Sequence, residues 1–363
     1  MSAPTVSGVR LSLLAADAGA RRWRPATVLA GLAALAVAAF LAALALGPVP
    51  VTPGQVLAIL LRPLGIELPW AFGERERAVL LAIRLPRALL AVLTGAGLAV
   101  AGAALQALFR NPLADPALIG VSGGAALAAA GAIVLGGTLW GAAPPALALP
   151  LCAFAGALLA TLIVWRLAQS HGRTQVGVLL LAGLALNALT GAGTGLLTQV
   201  ATDSQLRSLT FWSLGGLGGA RWDVVLGVLP FIVLAVAALL RLAGPLNALL
   251  LGEAEAGHLG LDVRRLTRGI VVCSALAAGA GVAVAGTIGF VGLLAPHLVR
   301  LLLGPDHRAL LPGSALLGAA LLLLADLLAR TLAAPADLPL GIVTALLGAP
   351  VFLALLVRHG ERS

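Results

Sequence analysis

Two residues of opposite charge, Asp326 and Arg330, lie four positions apart inside an apolar stretch near the C-terminus. At that spacing they share one face of a helix and can form an ion pair. A charged residue inside a membrane segment is costly, so it marks either a functional group or a satisfied pair. We favour the pair. Beyond these two residues, the apolar stretches offer few polar side chains (Gln106, Asn187, Gln199).

The histidines are not arranged for catalysis or for metal binding. They are scattered along the chain, without a Ser/His/Asp grouping or the spacing of metal ligands around them. The five are His171, His258, His297, His307 and His359. We therefore predict that the chain is not an enzyme and binds no cofactor or metal of its own.

The sequence contains no lysine, although it has 23 basic residues. The phosphate-binding loop of an ATPase needs a lysine that reaches the β- and γ-phosphates of the nucleotide. If ATP drives this protein, the ATP therefore binds to a separate partner subunit.

The composition is that of a protein with many membrane-spanning segments. Hydrophobic residues make up 60% of the chain, charged residues 10%, and the mean hydropathy is +1.07. A soluble domain of 363 residues would need more charge to cover its surface. The net charge of +9 does not indicate nucleic-acid binding, because the arginines are dispersed between apolar segments. Cys152 and Cys273 lie in apolar runs and are predicted to be small buried residues.

The apolar runs predict an all-α protein with about ten transmembrane helices. The weakest separator is the short stretch at residues 286–289, so the seventh and eighth helices could be one. The predicted spans are Ala26–Leu46, Ala88–Phe109, Leu118–Gly136, Ala146–Arg166, Gly177–Gln199, Trp222–Arg241, Gly269–Ala285, Ile288–Leu303, Ala309–Leu332 and Leu340–Val357.

The arginine distribution predicts that both termini are cytoplasmic, because loop arginines are more numerous on that side. The chain then divides into an N-terminal cytoplasmic segment (1–25) and a single transmembrane domain (26–358). An outside loop at 47–83 contains a short amphipathic piece, 52–61, that is expected to be a helix lying at the membrane interface. A second outside loop, 201–221, is expected at the mouth of the path, with Phe211 and Trp212 as interface anchors rather than substrate contacts.

Three motifs near the first third of the chain resemble the FecCD family. They are RLPR at 84–87, RNPLADP at 110–116 and GVSGGAAL at 120–127. Further stretches resemble the same family at 251–261, 286–312 and 337–358. The family comprises permease subunits of ABC importers for iron-siderophores, heme and vitamin B12. The resemblance covers the chain from about residue 84 to about residue 358.

The resemblance implies an assembly in the bacterial inner membrane. It implies a homodimer with a central path, two ATP-binding-cassette ATPase subunits on the cytoplasmic side and one periplasmic substrate-binding protein. It also implies that the cytoplasmic segment 242–268 contains a short helix that couples the permease to the ATPase. We expect nucleic acid to have no part in this assembly.

The resemblance also assigns roles to individual residues. The binding protein is expected to dock on Arg84, Arg87 and Arg330, which would pair with its glutamates. The coupling residues are Gly252, Glu253, Glu255, His258, Leu259, Gly260 and Leu261. A cytoplasmic gate is placed at Asn111 and Leu113, and a second at Val176 and Gly177, where the family's small hydroxyl residues are missing. The path along the fifth helix is expected to be lined by Asn187, Gly191, Gly195 and Gln199.

The cargo predicted from the sequence is heme. The stretch LRSLTFWSLGGLGGA at 206–220 resembles heme-importing members, whereas other stretches fit vitamin B12 permeases equally well. Vitamin B12 and ferric siderophores therefore remain alternatives. A more distant alternative is a secondary transporter that works alone, although the chain has few intramembrane ionisable groups for such a role.

Overall fold

The computed structural model describes residues 24–141, 147–170, 173–333 and 336–360, so almost all of the predicted N-terminal segment lies outside it. Within those ranges the chain is helical apart from loops and one antiparallel pair of two-residue strands, β1 (Gln169–Ser170) and β2 (Arg173–Thr174). The helices are α1 (Pro25–Ala45), α2 (Pro53–Leu61), α3 (Glu74–Ala78), α4 (Leu85–Phe109), α5 (Val121–Trp140), α6 (Ala148–Leu167), α7 (Val176–Gln199), α8 (Asp203–Leu214), α9 (Trp222–Arg241), α10 (Ala243–Leu251), α11 (Glu253–His258), α12 (Val263–Ala285), α13 (Val291–Leu303), α14 (His307–Leu332) and α15 (Leu340–Gly360).

The prediction of an all-α protein with about ten spans is confirmed, since each predicted span corresponds to one helix. Eight helices in the described ranges are long and apolar enough to cross a membrane. The other two predicted spans correspond to α13 and to the apolar part of α15, Leu340–Val351, which are shorter. We call the end that carries residues 47–53 and 336–339 the outer end and the end that carries residues 242–262 the inner end, after the predicted orientation.

The second span begins earlier than predicted. The last part of the predicted 47–83 loop is α3 followed by a π-helical stretch, Val79–Arg84, which continues into α4. Pro86 lies in the first turn of α4, where its missing N–H is tolerated, whereas the predicted span began at Ala88. The π-helical stretch lets the chain remain helical up to this proline. The amphipathic piece of the same loop is helical as predicted, because Thr52 and Gln55 cap α2 reciprocally.

The seventh and eighth spans are separate helices. Gly286 and Phe290 both have left-handed backbone angles, with φ of 68° and 67°, and neither can continue a right-handed helix. The seventh span also starts at Val263 rather than at residue 269, with Asp262 accepting a hydrogen bond from Arg265 N at 3.0 Å. Arg264, Arg265 and Arg268, which fall in the predicted cytoplasmic segment 242–268, therefore lie on the first turns of α12.

The most buried helix is α4, which packs against α9, α12, α13 and α14. Two glycines make this packing possible. A Cβ on Gly102 would fall far inside contact distance of the Gly292 carbonyl on α13, and a Cβ on Gly95 would meet the Gly318 carbonyl on α14. Helices in lipid associate through such close backbone approaches, because apolar side chains gain little by leaving lipid for protein.

The polar break after α4 confirms the predicted helix end at residues 110–116. Arg110 takes a left-handed conformation, and Asn111 N donates to the Gln106 carbonyl at 3.1 Å. Asp115 then accepts a hydrogen bond from Ala117 N at 2.9 Å and caps a short 3-10 helix, Pro116–Ile119. The next transmembrane helix therefore starts at Val121, three residues later than predicted.

Candidate functional site

Five charged residues form a cluster at the outer end, which we call the outer charge cluster (Arg84, Arg87, Asp326, Arg330, Asp337). Arg87 is its centre: Nε donates to Asp326 Oδ1 at 2.9 Å, and Nη1 donates to Asp337 Oδ2 at 2.8 Å. Arg330 is farther from Asp326, with 3.7 Å between Nε and Oδ2. The predicted pairing of Asp326 is therefore only partly right, because its closest partner is Arg87 on α4.

The other two arginines of the cluster bind the end of α1. Arg84 Nη1 donates to the carbonyls of Leu44 and Ala45 at 2.8 and 2.9 Å, and its Nη2 donates to Val49. Arg330 Nη2 donates to the Ala43 carbonyl. The last carbonyls of a helix have no partner within the helix and carry partial negative charge, so these guanidinium groups satisfy them.

This placement bears directly on the predicted docking residues. Arg84 is 4% exposed and Arg330 is 9% exposed, and both are occupied by internal carbonyls. The side chain of Arg87 is 15% exposed, whereas that of its partner Asp337 is 46% exposed. Of the three arginines, Arg87 is therefore the one next to an accessible carboxylate at the surface.

A cavity of about 690 Å³ opens beside the outer charge cluster, and we call it the mouth cavity. It lies between the start of α6, the glycine-rich loop after α8, the end of α12 and the start of α15. Backbone hydrogen bonds join these pieces, from Gly216 N to Ala285 O at 2.8 Å and from Leu340 N to Gly215 O at 2.9 Å. Its charged and aromatic lining consists of Arg87, Arg221, Asp223, Asp337, Phe211 and Trp212.

The predicted path residues on α7 separate into two groups. The path residues Gly191, Gly195 and Gln199 are exposed, as is Gly177, which was predicted as a gate residue, and a Cβ on any of these glycines would meet nothing within 4 Å. Asn187 is turned towards the 3-10 helix before α5 instead, where its Nδ2 donates to the Ala117 carbonyl at 2.9 Å and its Oδ1 is buried. The exposed side of α7 therefore carries these glycines together with Leu181 and Leu184, and Asn187 lies one turn from Gly191, at the edge where α7 meets its neighbours.

The predicted coupling residues lie together at the inner end. Helix α11 is held by the buried Ala256, whereas Glu253, Glu255, His258, Leu259 and Gly260 are exposed. Leu261 is half-buried, and Gly260 ends the segment with a left-handed φ of 82°. The short amphipathic helix predicted for this segment is confirmed.

One predicted gate position, Val176, meets the coupling segment in a groove at the inner end. A cavity of about 620 Å³ is lined by Arg110 from the end of α4, by Val176 from α7 and by the coupling residues Gly252, Glu253 and Glu255. Asn111 lies next to Arg110 and accepts a hydrogen bond from Leu113 N at 2.9 Å, whereas the Leu113 side chain is exposed. Residues from three distant parts of the sequence thus surround one inner-end groove.

Two features of these sites could not be found from sequence spacing. Asp337 is 250 residues from Arg87, so no local pattern pairs them. The inner end also contains a polar contact between Asn247 and the residues Asp306 and His307, and no motif drew attention to it. Among the described residues there is no group of three or more His, Cys, Asp or Glu side chains that could hold a metal ion.

Comparison with known proteins identifies a family model and several relatives. Residues 35–358 match the model of the FecCD transport family. The chain is 50% identical over 283 residues to the hemin transport system permease protein HmuU of Yersinia pestis, covering 77% of this chain and 83% of that protein. It is 46% identical over 290 residues to the cobalamin import system permease protein BtuC of Halobacterium salinarum, covering 79% and 76%.

A bacterial vitamin B12 permease and a solved structure are also similar. The vitamin B12 import system permease protein BtuC of Escherichia coli O157:H7 is 45% identical over 294 residues, covering 80% of this chain and 87% of that protein. A solved structure of a metal-chelate type ABC transporter in an inward-facing conformation superposes with a TM-score of 0.80 at 32% identity. The superposition covers 92% of this chain and 99% of the other.

Proposed function

The chain belongs to the FecCD transport family, and from this premise we propose that it is the permease through which an ABC importer moves heme across the bacterial inner membrane. At the coarser level the assignment is plain: the chain is the membrane permease subunit of an ABC importer for a metal chelate. Its relatives are permease subunits whose ATPases are separate chains, so this chain is not an enzyme. The stand-alone secondary transporter is thereby excluded.

The mouth cavity supplies the physical support for heme. Heme is a flat apolar ring with two carboxylate groups. Phe211 and Trp212 offer aromatic surface in the cavity, and Arg87 and Arg221 offer guanidinium groups. Aromatic rings stack on flat apolar molecules, and guanidinium groups bind carboxylates in two places. The cavity thus carries the two kinds of group that such a cargo requires, and the interface-anchor interpretation of Phe211 and Trp212 becomes the less favoured one.

Cobalamin is the second candidate, because two of the relatives are cobalamin permeases at 46% and 45% identity. These values are close to the 50% found for the hemin permease, so identity alone does not discriminate between the two cargoes. The feature that favours heme is the combination of two aromatic side chains and two arginines in the lining of the mouth cavity. A ferric siderophore remains the third candidate.

The cargo is tested by transport into vesicles. The permease is reconstituted with its ATPase and its binding protein, and uptake of heme, cobalamin and a ferric siderophore is measured with and without ATP. We expect ATP-dependent uptake of heme alone. Uptake of cobalamin without uptake of heme would contradict the proposed cargo but leave the importer assignment intact.

We propose further that two copies of the chain form the transport path between their α7 helices. The support is the exposed stripe of small residues on α7, Gly177, Gly191 and Gly195, which leaves open space for a bulky cargo. Gln199 would lie at its outer end. Asn187 is not part of this proposed lining, because its amide is bound to the carbonyl of Ala117.

We also propose that the exposed side of α11 and the turn after it form the contact with the ATPase. Glu253, Glu255, His258 and Leu259 are exposed there, and Gly252, Gly260 and Leu261 shape the segment. The inner-end groove supports a link to the gate proposed at Val176 and Gly177, because Val176 lines it, and to the gate proposed at Asn111 and Leu113 through the neighbouring Arg110. Closure of the ATPase would then move the groove and, with it, the gate residues.

For the periplasmic binding protein we propose docking at the outer charge cluster, chiefly through Arg87. Arg84 and Arg330 would contribute indirectly, because they bind the carbonyls at the end of α1 and so hold that helix end in place. An acidic side chain of the binding protein would compete with Asp337 for the accessible edge of Arg87.

Replacing Asp337 with asparagine is expected to tighten docking of the binding protein by up to about fivefold at low salt. The substitution removes the internal competitor for Arg87 while leaving the buried Asp326 pair in place. Affinity is measured by surface plasmon resonance or fluorescence anisotropy at two salt concentrations. Asp223→Asn is the matched control, because Asp223 pairs with Arg221 on the rim of the same cavity. Docking that is unchanged by Asp337→Asn, or tightened equally by the control, would contradict a docking role for Arg87.

A further inference from the structure

Asn247 joins the coupling segment to the beginning of a central helix. It lies on α10, which immediately precedes α11 in the chain. Its Nδ2 donates to Asp306 Oδ1 at 2.6 Å, and its Oδ1 accepts from His307 N at 2.8 Å. The His307 ring completes the contact, with Nδ1 at 2.9 Å from the same oxygen. Both ends of one amide side chain are therefore occupied by the N-terminus of α14.

Asp306 determines which group of the contact donates the hydrogen bond and which accepts it. It caps α14 by accepting a hydrogen bond from Arg308 N at 2.9 Å. This backbone hydrogen bond, with the one from Asn247, lowers the pKa of the Asp306 carboxyl below its ordinary value. The group is thus ionised at neutral pH, and a hydrogen bond to an ionised acceptor is stronger than one between neutral groups. Asn247 can serve this acceptor only as a donor.

A second polar contact continues the route towards the gate. Arg300 lies in the last turn of α13, and the chain from there to Asp306 is the short loop between α13 and α14. Arg300 Nη2 donates to Gln106 Oε1 at 2.9 Å. Gln106 is 3% exposed in the last turn of α4. Its backbone carbonyl holds Asn111 N, where the polar break begins. These two polar contacts, joined by the chain between Arg300 and Asp306, therefore connect α10 to the residues at the end of α4.

We propose that the Asn247–Asp306 contact transmits movement of the coupling segment to α13 and α14, and we call this contact the joint. The Arg300–Gln106 contact then transmits the same movement to the polar break at 110–115. The proposal rests on the proposed contact between α11 and the ATPase. These residues touch neither ATP nor cargo, so they are positioning residues. Polar networks can carry coupling when they connect rigid elements that move together, and here they connect one helix start and two helix ends.

The test uses Asn247→Asp, which keeps the shape of the side chain and reverses its role towards Asp306. The new carboxylate oxygen would face Asp306 Oδ1 in place of the amide donor, and the two charges would repel. In vesicles with the ATPase and binding protein, we expect the amount of cargo moved per ATP hydrolysed to fall about tenfold. ATP hydrolysis itself should continue. The exchanged pair Asn247→Asp with Asp306→Asn restores one donor and one acceptor, and it should recover at least part of this ratio.

Gly244→Asp is the control for added negative charge on the same helix. Gly244 is exposed and has open space around its Cβ, so this variant should leave cargo moved per ATP unchanged. If Asn247→Asp does not give folded protein, Asn247→Ala replaces it, with the same expected fall. A merely structural contact would lower the yield of assembled transporter but not the ratio of cargo to ATP.

Gly260→Glu separates failure of this inference from failure of the proposed function. The substitution strains a left-handed position and adds a charged side chain at the proposed ATPase contact. If Gly260→Glu lowers cargo moved per ATP and both Asn247 variants keep it, the joint is overturned and the coupling segment stands. If none of these variants lowers the ratio, both the joint and the proposed ATPase contact are overturned.

Discussion

Gly102→Ala is expected to leave little folded protein in the membrane. The new methyl group would fall far inside contact distance of the Gly292 carbonyl, which is backbone and cannot rotate away. Helices α4 and α13 would have to separate, and α4 is the helix around which the others pack. We expect a destabilisation of at least about 3 kcal/mol, the upper part of the range for overpacked cores. The measurement is the thermal unfolding midpoint of protein purified in detergent, together with the monodisperse yield.

Gly131→Ala is the matched control for that experiment. Gly131 lies inside α5, and a Cβ there would meet nothing within 4 Å. Alanine favours a helix interior over glycine by about 0.5–1 kcal/mol, so this variant should be at least as stable as the parent. Equal midpoints for Gly102→Ala and Gly131→Ala would show that α4 and α13 are not in close backbone contact.

The second large effect is expected for Asp326→Ala in the outer charge cluster. Asp326 is 2% exposed and is the carboxylate shared by Arg87 and Arg330. Removing it leaves Arg330 without a carboxylate and Arg87 with Asp337 alone. Breaking a buried ion pair by removing one partner costs about 3–5 kcal/mol, because the remaining charge stays desolvated. The outer ends of α1, α4 and α14 should loosen together.

Asp337→Asn is the control, since it removes the other carboxylate from the same arginine. Asp337 is half-exposed, and exposed pairs contribute about 1 kcal/mol or less. The unfolding midpoint should therefore fall clearly for Asp326→Ala and hardly change for Asp337→Asn. Equal losses in the two variants would mean that burial does not distinguish the two carboxylates.

The outer charge cluster also explains how a membrane protein tolerates so much charge in one place. Three arginines and two aspartates are gathered where the end of α1 exposes backbone carbonyls. The carbonyls take up hydrogen bonds from Arg84 and Arg330, and the carboxylates take up those from Arg87. Each positive group thus has a partner, which is the condition under which charge is tolerated away from water.

The ten spans and the family could be recognised from the sequence because their signals are local. A run of about twenty apolar residues has only a helix available to it in lipid, where all backbone groups must bond within the segment. The bounds of Trp222–Arg241 were predicted as observed. The ends of helices were predicted less well where the backbone continues as a helix beyond the apolar run. The π-helical stretch before Pro86 and the start of α12 at Val263 are the two examples.

The sequence indicated which residues are candidates for the functional sites, but the tertiary structure decided which groups those residues contact. Sequence placed Arg84, Arg87 and Arg330 together as docking residues, yet two of them lie on the carbonyls of α1 and the third lies between two aspartates more than 230 residues away. Asn187 was assigned to the path from its helix, but its amide is bound to the carbonyl of Ala117. A sequence pattern shows which residue types recur at a spacing. Which carbonyl or carboxylate meets them depends on how distant helices pack, and that is set by close contacts such as Gly102 against Gly292.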